Sequence, residues 1–115
     1  VINLNFSKSL TLEEAEAIVL GNEQIDIDEQ TCSHVQESLN FLLEFSKDKV
    51  IYGINTGLGP MAQYKIDDDK LKDLQYNLIR SHSAGAGEKI PDKYVKAAML
   101  VRLRAIMQGH SGIDL

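Results

Sequence analysis

The sequence predicts a mainly α-helical chain with a few short β-strands. Two features carry that expectation. Apolar residues recur at helical spacing in three stretches, around 29–46, 67–83 and 91–108, each with start or stop signals at its ends. The strand-like runs, by contrast, are only three to six residues long.

Val1–Phe6 alternates Ile2, Leu4 and Phe6 with Asn3 and Asn5, the period of a half-buried strand. Thr11-Leu-Glu-Glu14 reads as a capping box opening a short helix through Leu20, with Gly21 as its stop. Ile25-Asp-Ile27 suits a second short strand. Asp28 suits the N-cap of a helix over 29–46 with a stripe of Cys32, Val35, Leu39, Leu42 and Leu43. Val50–Ile54 is β-branched and aromatic, so it is expected to be extended. Asn55–Pro60, with two glycines and a proline, is expected to be a loop. Asp67 is expected to cap a helix to about Ser83 whose stripe is Leu71, Leu74, Leu78 and His82. Pro91 suits the first turn of a last helix, and Gly109 its C′ position. That last helix is apolar on nearly every side from Tyr94 to Met107, the mark of a helix covered all round. Arg102 projects opposite Lys93, Lys96 and Arg104, so it is expected to be a buried arginine paired with a carboxylate or carbonyls.

The 115 residues suit one domain's worth of chain, organised as 1–49, a loop region 50–66 and helices over 67–115. Twelve Lys+Arg against seventeen Asp+Glu give a net charge of −5, with no basic stripe, which argues against a nucleic-acid partner. No apolar run approaches the roughly 18 residues of a membrane span, and no basic-then-apolar leader is visible. The single cysteine, Cys32, cannot form an internal disulfide, so a cytoplasmic location is expected.

Several residues invite chemistry and also have plainer explanations. Gly57-Leu-Gly59-Pro-Met-Ala62 matches a loose GxGxxA fingerprint after an extended segment, but no β-α-β frame follows, and a surface loop explains it better. Asp67-Asp68-Asp69 suits an acidic helix start better than a metal site. His34 and His110 lack ligand-spaced partners, and Cys32 lies inside an apolar stripe. His82, on an apolar face at a helix end, suits a core or capping histidine. Tyr52 stands where an extended segment meets a loop with glycines at 53, 57 and 59. From spacing alone it is either a half-buried structural tyrosine or a residue on a mobile active-site loop.

Three ordered motifs favour the second possibility. Tyr52-Gly-Ile-Asn-Thr-Gly-Leu-Gly59 resembles the YGxNTGxG segment of the aromatic amino acid lyases. Leu74–Gly85 is similar to that family's next motif, and Ala97–Ile113, ending Gln-Gly-His-Ser-Gly-Ile, to the one after it. The resemblance covers 50–113 closely and 1–49 loosely. Ser81-His82 matches the pair carried by the histidine ammonia-lyases, where tyrosine lyases carry His-Leu and phenylalanine lyases Phe-Leu. Two features depart from that match: Leu58 stands where NTGFG has Phe, and the Ala97–Gly109 helix also resembles the phenylalanine lyases.

The resemblance implies a mostly helical fold and an N-terminal portion leading into a central helical domain. It also implies a homotetramer whose active sites are shared between subunits. The small-molecule substrate would be an aromatic amino acid, foremost L-histidine, eliminated to trans-urocanate. The alternatives are a tyrosine or phenylalanine lyase, an aminomutase, and a non-catalytic helical assembly module. The implied electrophile is methylidene-imidazolone (MIO), which forms from Ala-Ser-Gly, a triplet this sequence lacks, so none is formed within this chain and the chain alone is expected to be inactive. Tyr52 would be the base, acting as phenolate, although a free phenol has a pKa of about 10. Ser81 and His82 would meet the substrate ring, and Gly59 would line the pocket with backbone alone.

Overall fold

Ile2–Leu4 (β1) pairs in parallel with Ile25–Ile27 (β2), in the register Ile2↔Ile25, Asn3↔Asp26 and Leu4↔Ile27. Parallel strands need a crossover, and Leu12–Val19 (α1) provides it. The computed structural model describes all of residues 1–115. It divides into two units, one formed by Val1–Leu43 with Lys89–Leu115 and the other by Glu44–Glu88.

In the first unit the capping box forms as expected. Glu14 N–H donates to Thr11 Oγ1 at 3.2 Å, and Thr11 N–H donates to Glu14 Oε2 at 3.1 Å. Gly21 is needed at the other end of α1 for space, since a Cβ there would lie 2.6 Å from the Ala17 carbonyl oxygen. The left-handed residue is the next one, Asn22, at φ 54°.

Glu29–Ser46 (α2) starts where Asp28 predicts, with Asp28 Oδ1 accepting from Thr31 N–H at 2.7 Å. Thr31 and Val35 are buried, Cys32, Leu39 and Leu42 are half-buried, and Leu43 is exposed. His34 stacks on Phe6 with ring centroids 4.4 Å apart, and its Nε2–H donates to the Gln108 carbonyl at 3.1 Å.

Asp92–Ile106 (the last helix) begins one residue after the expected Pro91. Leu100 and the following Met107 bury against Leu4, joined by Ile2, Ile18, Val19, Ile27 and Leu103. Gly109 takes φ 69°, which favours glycine, and a Cβ there would meet His34 Nε2 at 2.6 Å.

The expectation for Arg102 is overturned: its side chain is exposed. The inward arginine is Arg104, whose guanidinium donates to the carbonyls of Asn5 and Lys8, both at 2.7 Å. The core takes the face bearing Leu100, Leu103 and Met107, so the side carrying Val95, Met99 and Arg102 turns outward.

In the second unit Val50–Ile54 is not a strand. Ile54 and Asn55 N–H both donate back to the Ile51 carbonyl, at 3.1 and 3.2 Å, which makes a coiled turn with Gly53 at φ 77°. Gly59–Met61 is a single 3₁₀ turn, so no helix start stands behind the GxGxxA match. A second 3₁₀ turn, Asp68–Lys70, leads into Leu71–His82 (α3). Asp67 does not cap α3; its carboxylate takes the Lys70 ammonium at 3.1 Å. Leu71, Leu74 and Leu78 are half-buried as the stripe predicts, while His82 at its end is exposed. With the last helix named α4, the order is β1-α1-β2-α2-α3-α4. No helix is long and apolar enough to cross a membrane.

Candidate active site

The segment Ile51–Ile66 is organised by two small polar side chains. Asn55 is 3% exposed and Thr56 1%. The Asn55 carboxamide accepts from Ile51 N–H at 2.8 Å through Oδ1, and its Nδ2 donates to the Lys49 carbonyl at 2.8 Å. Its own carbonyl accepts from Ile66 N–H at 2.9 Å, and Gly57 N–H donates to the Tyr64 carbonyl at 3.1 Å. Those two bonds flank the antiparallel bridge Thr56↔Lys65 and fix where the loop leaves and returns. No buried side-chain polar atom lacks a partner.

On this frame Tyr52 is exposed, at 63%. Its phenolic oxygen accepts from Gly59 N–H at a long 3.4 Å. The structure therefore brings together two of the four residues singled out in the sequence. Gly59 has φ 57°, and an added Cβ would meet nothing within 4 Å in this chain. Its glycine is a conformational requirement here. The steric requirement falls instead on Gly57, where a Cβ would lie 2.6 Å from the Met61 carbonyl oxygen.

The other two residues form a second pair at the end of α3. Ser81 Oγ donates to the Leu78 carbonyl at 2.9 Å and lies 3.1 Å from His82 Nδ1. His82 Nδ1 is also 2.8 Å from the Leu78 carbonyl. A carbonyl oxygen only accepts, so this network assigns the proton to Nδ1. A neutral His82 then presents the lone pair of Nε2 from an exposed ring. No hydrogen bond joins this pair to Tyr52 and Gly59.

Sequence reasoning did not single out Asn55 and Thr56, whose side chains hold this loop. The available signal was their type: short polar side chains inside a glycine-rich turn bond readily to nearby backbone.

The family profile described as aromatic amino acid lyase matches residues 10–115. A histidine ammonia-lyase of Macrococcus caseolyticus is 36% identical over 108 residues, which is 93% of this chain and 22% of the relative. The chain thus spans about a fifth of the length of the curated relatives it matches. Among solved structures, the ergothionase of Treponema denticola superposes with a TM-score of 0.90 at 30% identity, over 98% of this chain and 23% of that one. The phenylalanine aminomutase of Pantoea agglomerans also gives 0.90, at 28% identity, over 99% and 22%.

Proposed function

The chain belongs to the aromatic amino acid lyase family, and on that premise we propose that it supplies the base-bearing N-terminal portion of an ammonia-lyase acting on L-histidine. The observation that carries the proposal is the exposed Tyr52 phenol, set against the Gly59 N–H on a loop locked from beneath by Asn55 and Thr56.

The chemistry asked of this loop is removal of a weakly acidic β-proton. Tyr52 Oη, as phenolate, takes that proton. The C–H electron pair becomes the new double bond as the Cα–N bond breaks and ammonia departs, giving trans-urocanate. The glycines at 53, 57 and 59 suit a loop that closes over substrate and excludes water.

In this proposal MIO supplies the electrophile that makes ammonium a competent leaving group. The residues here do not fit the group: there is no Ala-Ser-Gly precursor, and the buried polar side chains of the loop are satisfied internally. It would come from elsewhere in the complete enzyme, so the chain alone would be inactive.

The substrate reading rests on Ser81-His82. The Nε2 lone pair of His82 suits the N–H of an imidazole ring, and the similarity to histidine ammonia-lyases supports the same choice. Exposed Tyr94, Val95, Met99 and Val101 on α4 support burial of that face in a larger homotetrameric assembly. Twelve Lys+Arg against seventeen Asp+Glu and a single cysteine support a cytoplasmic enzyme without a nucleic-acid partner. The likeness to an aminomutase favours one second reading, in which ammonia is returned to the β-carbon.

The test is product analysis of the complete enzyme supplied with L-histidine, L-tyrosine and L-phenylalanine. Urocanate from histidine is expected, and a β-amino acid product would select the aminomutase. Changing Ser81-His82 to Phe-Leu removes the polar contact to the ring, a loss of roughly 1–3 kcal/mol. Histidine turnover should then fall about tenfold or more. Unchanged histidine kinetics in that variant would overturn the substrate assignment.

A further inference from the structure

Thr56 sits at the middle of the Tyr52–Gly59 loop and is almost wholly buried, at 1% exposure. Its hydroxyl makes two bonds. Oγ1 accepts from Gly53 N–H, next to Tyr52, at 3.2 Å. It donates to the Gly57 carbonyl, two residues before Gly59, at 2.8 Å. One oxygen therefore ties the two arms that carry the Tyr52 phenol and the Gly59 amide. The backbone around Thr56 is held separately, by the Asn55–Ile66 and Gly57–Tyr64 bonds that flank its bridge to Lys65. The hydroxyl is thus spare for the frame and specific to the arms.

We infer that Thr56 is a positioning residue whose hydroxyl latches the loop so that the Tyr52 phenol is held at its working place. The inference deepens the proposal that Tyr52 is the base and rests on it. Each arm carries a glycine. Gly53 adopts φ 77° while offering its N–H to the hydroxyl, and Gly57 has no room for a side chain beside Met61. Without the hydroxyl, Gly53 N–H and Gly57 C=O lose their shared partner, and the phenol is free to drift. Displacement of a reacting group by about 1 Å can cost on the order of 100-fold in rate.

The experiment compares wild type, Thr56→Val, Thr56→Ser, Tyr52→Phe and the Tyr52→Phe/Thr56→Val double variant of the complete enzyme. Thr56→Val is expected to lower kcat about tenfold or more with KM within about twofold, because the loss falls on the transition state. Thr56→Ser, which keeps the hydroxyl, should return kcat to within about threefold. In the Tyr52→Phe background, Thr56→Val should cost less than about twofold, since the group it positions is gone. Equal losses in the two backgrounds, or serine no better than valine, would overturn the inference. If Tyr52→Phe itself leaves turnover intact, the base assignment fails, and amide exchange decides the latch separately. Thr56→Val should speed exchange at Gly53 while Gly57, bonded to Tyr64, stays protected. Unchanged exchange at Gly53 would overturn the latch. Thr56→Ala takes the same tests if the valine variant does not fold.

Discussion

In the unit formed by Val1–Leu43 and Lys89–Leu115 the buried side chains are mainly apolar: Leu4, Val35, Leu100 and Met107, with Thr31 the exception. In Glu44–Glu88 the buried side chains are Asn55 and Thr56. The first unit is thus stabilised largely by removing hydrocarbon from water, which is non-directional and tolerates small shifts. The loop of the second is fixed by side-chain hydrogen bonds to the backbone, which are directional and specify geometry. A polar lock gains little net stability per bond, about 0.5–1.5 kcal/mol, but it dictates where each arm of a turn must lie. That is the property the proposed role of the Tyr52 loop requires.

Three substitutions probe this contrast. The largest effect is expected from Met107→Ala. Emptying a fully buried methionine site should cost about 2–5 kcal/mol, and hydrogen exchange should rise through β1, α1 and α4. Loss confined to the loop would break the comparison. Asn55→Ala should cost less, about 1–3 kcal/mol, because it strands Ile51 N–H and the Lys49 carbonyl. Faster exchange should be concentrated at 49–58, with α1 and α4 still protected.

The smallest effect is expected at Glu14. Its carboxyl is held below the ordinary value of 4.5, first by the hydrogen bond from Lys8 and next by Thr11 N–H. A carboxyl lowered in the folded state contributes stability above its ordinary pKa and loses it as pH falls through the folded one. The difference in Tm between wild type and Glu14→Gln should therefore be open above pH 4.5 and close on further acidification. The amide and hydroxyl locks of Asn55 and Thr56 do not titrate, so exchange rates at 49–58, corrected for intrinsic chemistry, should show no matching change. A difference in Tm that ignores pH would refute the Glu14 account.

Local signals were legible where one short-range rule decided the outcome. The Thr11 capping box, the Asp28 start of α2 and the Leu71, Leu74, Leu78 stripe all follow from spacing within one helix. The extended reading of Val50–Ile54 failed because β-branched propensity is weak, and Asn55 offers that segment a turn through its side chain. Arg102 and Arg104 were interchanged because α4 is apolar on almost every side, so its pattern does not say which face meets Leu4. At the site, Tyr52 and Gly59 were legible through a motif and do meet. Asn55 and Thr56 were passed over because bonds within a turn leave no periodicity to read.

The most direct test of the account is kcat of Tyr52→Phe in the complete enzyme, with formation of MIO verified by intact mass. The substitution keeps the ring and removes only the hydroxyl. If Tyr52 is the base, kcat should fall by about 10²–10⁴, with KM little changed. Turnover within about threefold of wild type would contradict the account and leave Tyr52 as a structural tyrosine.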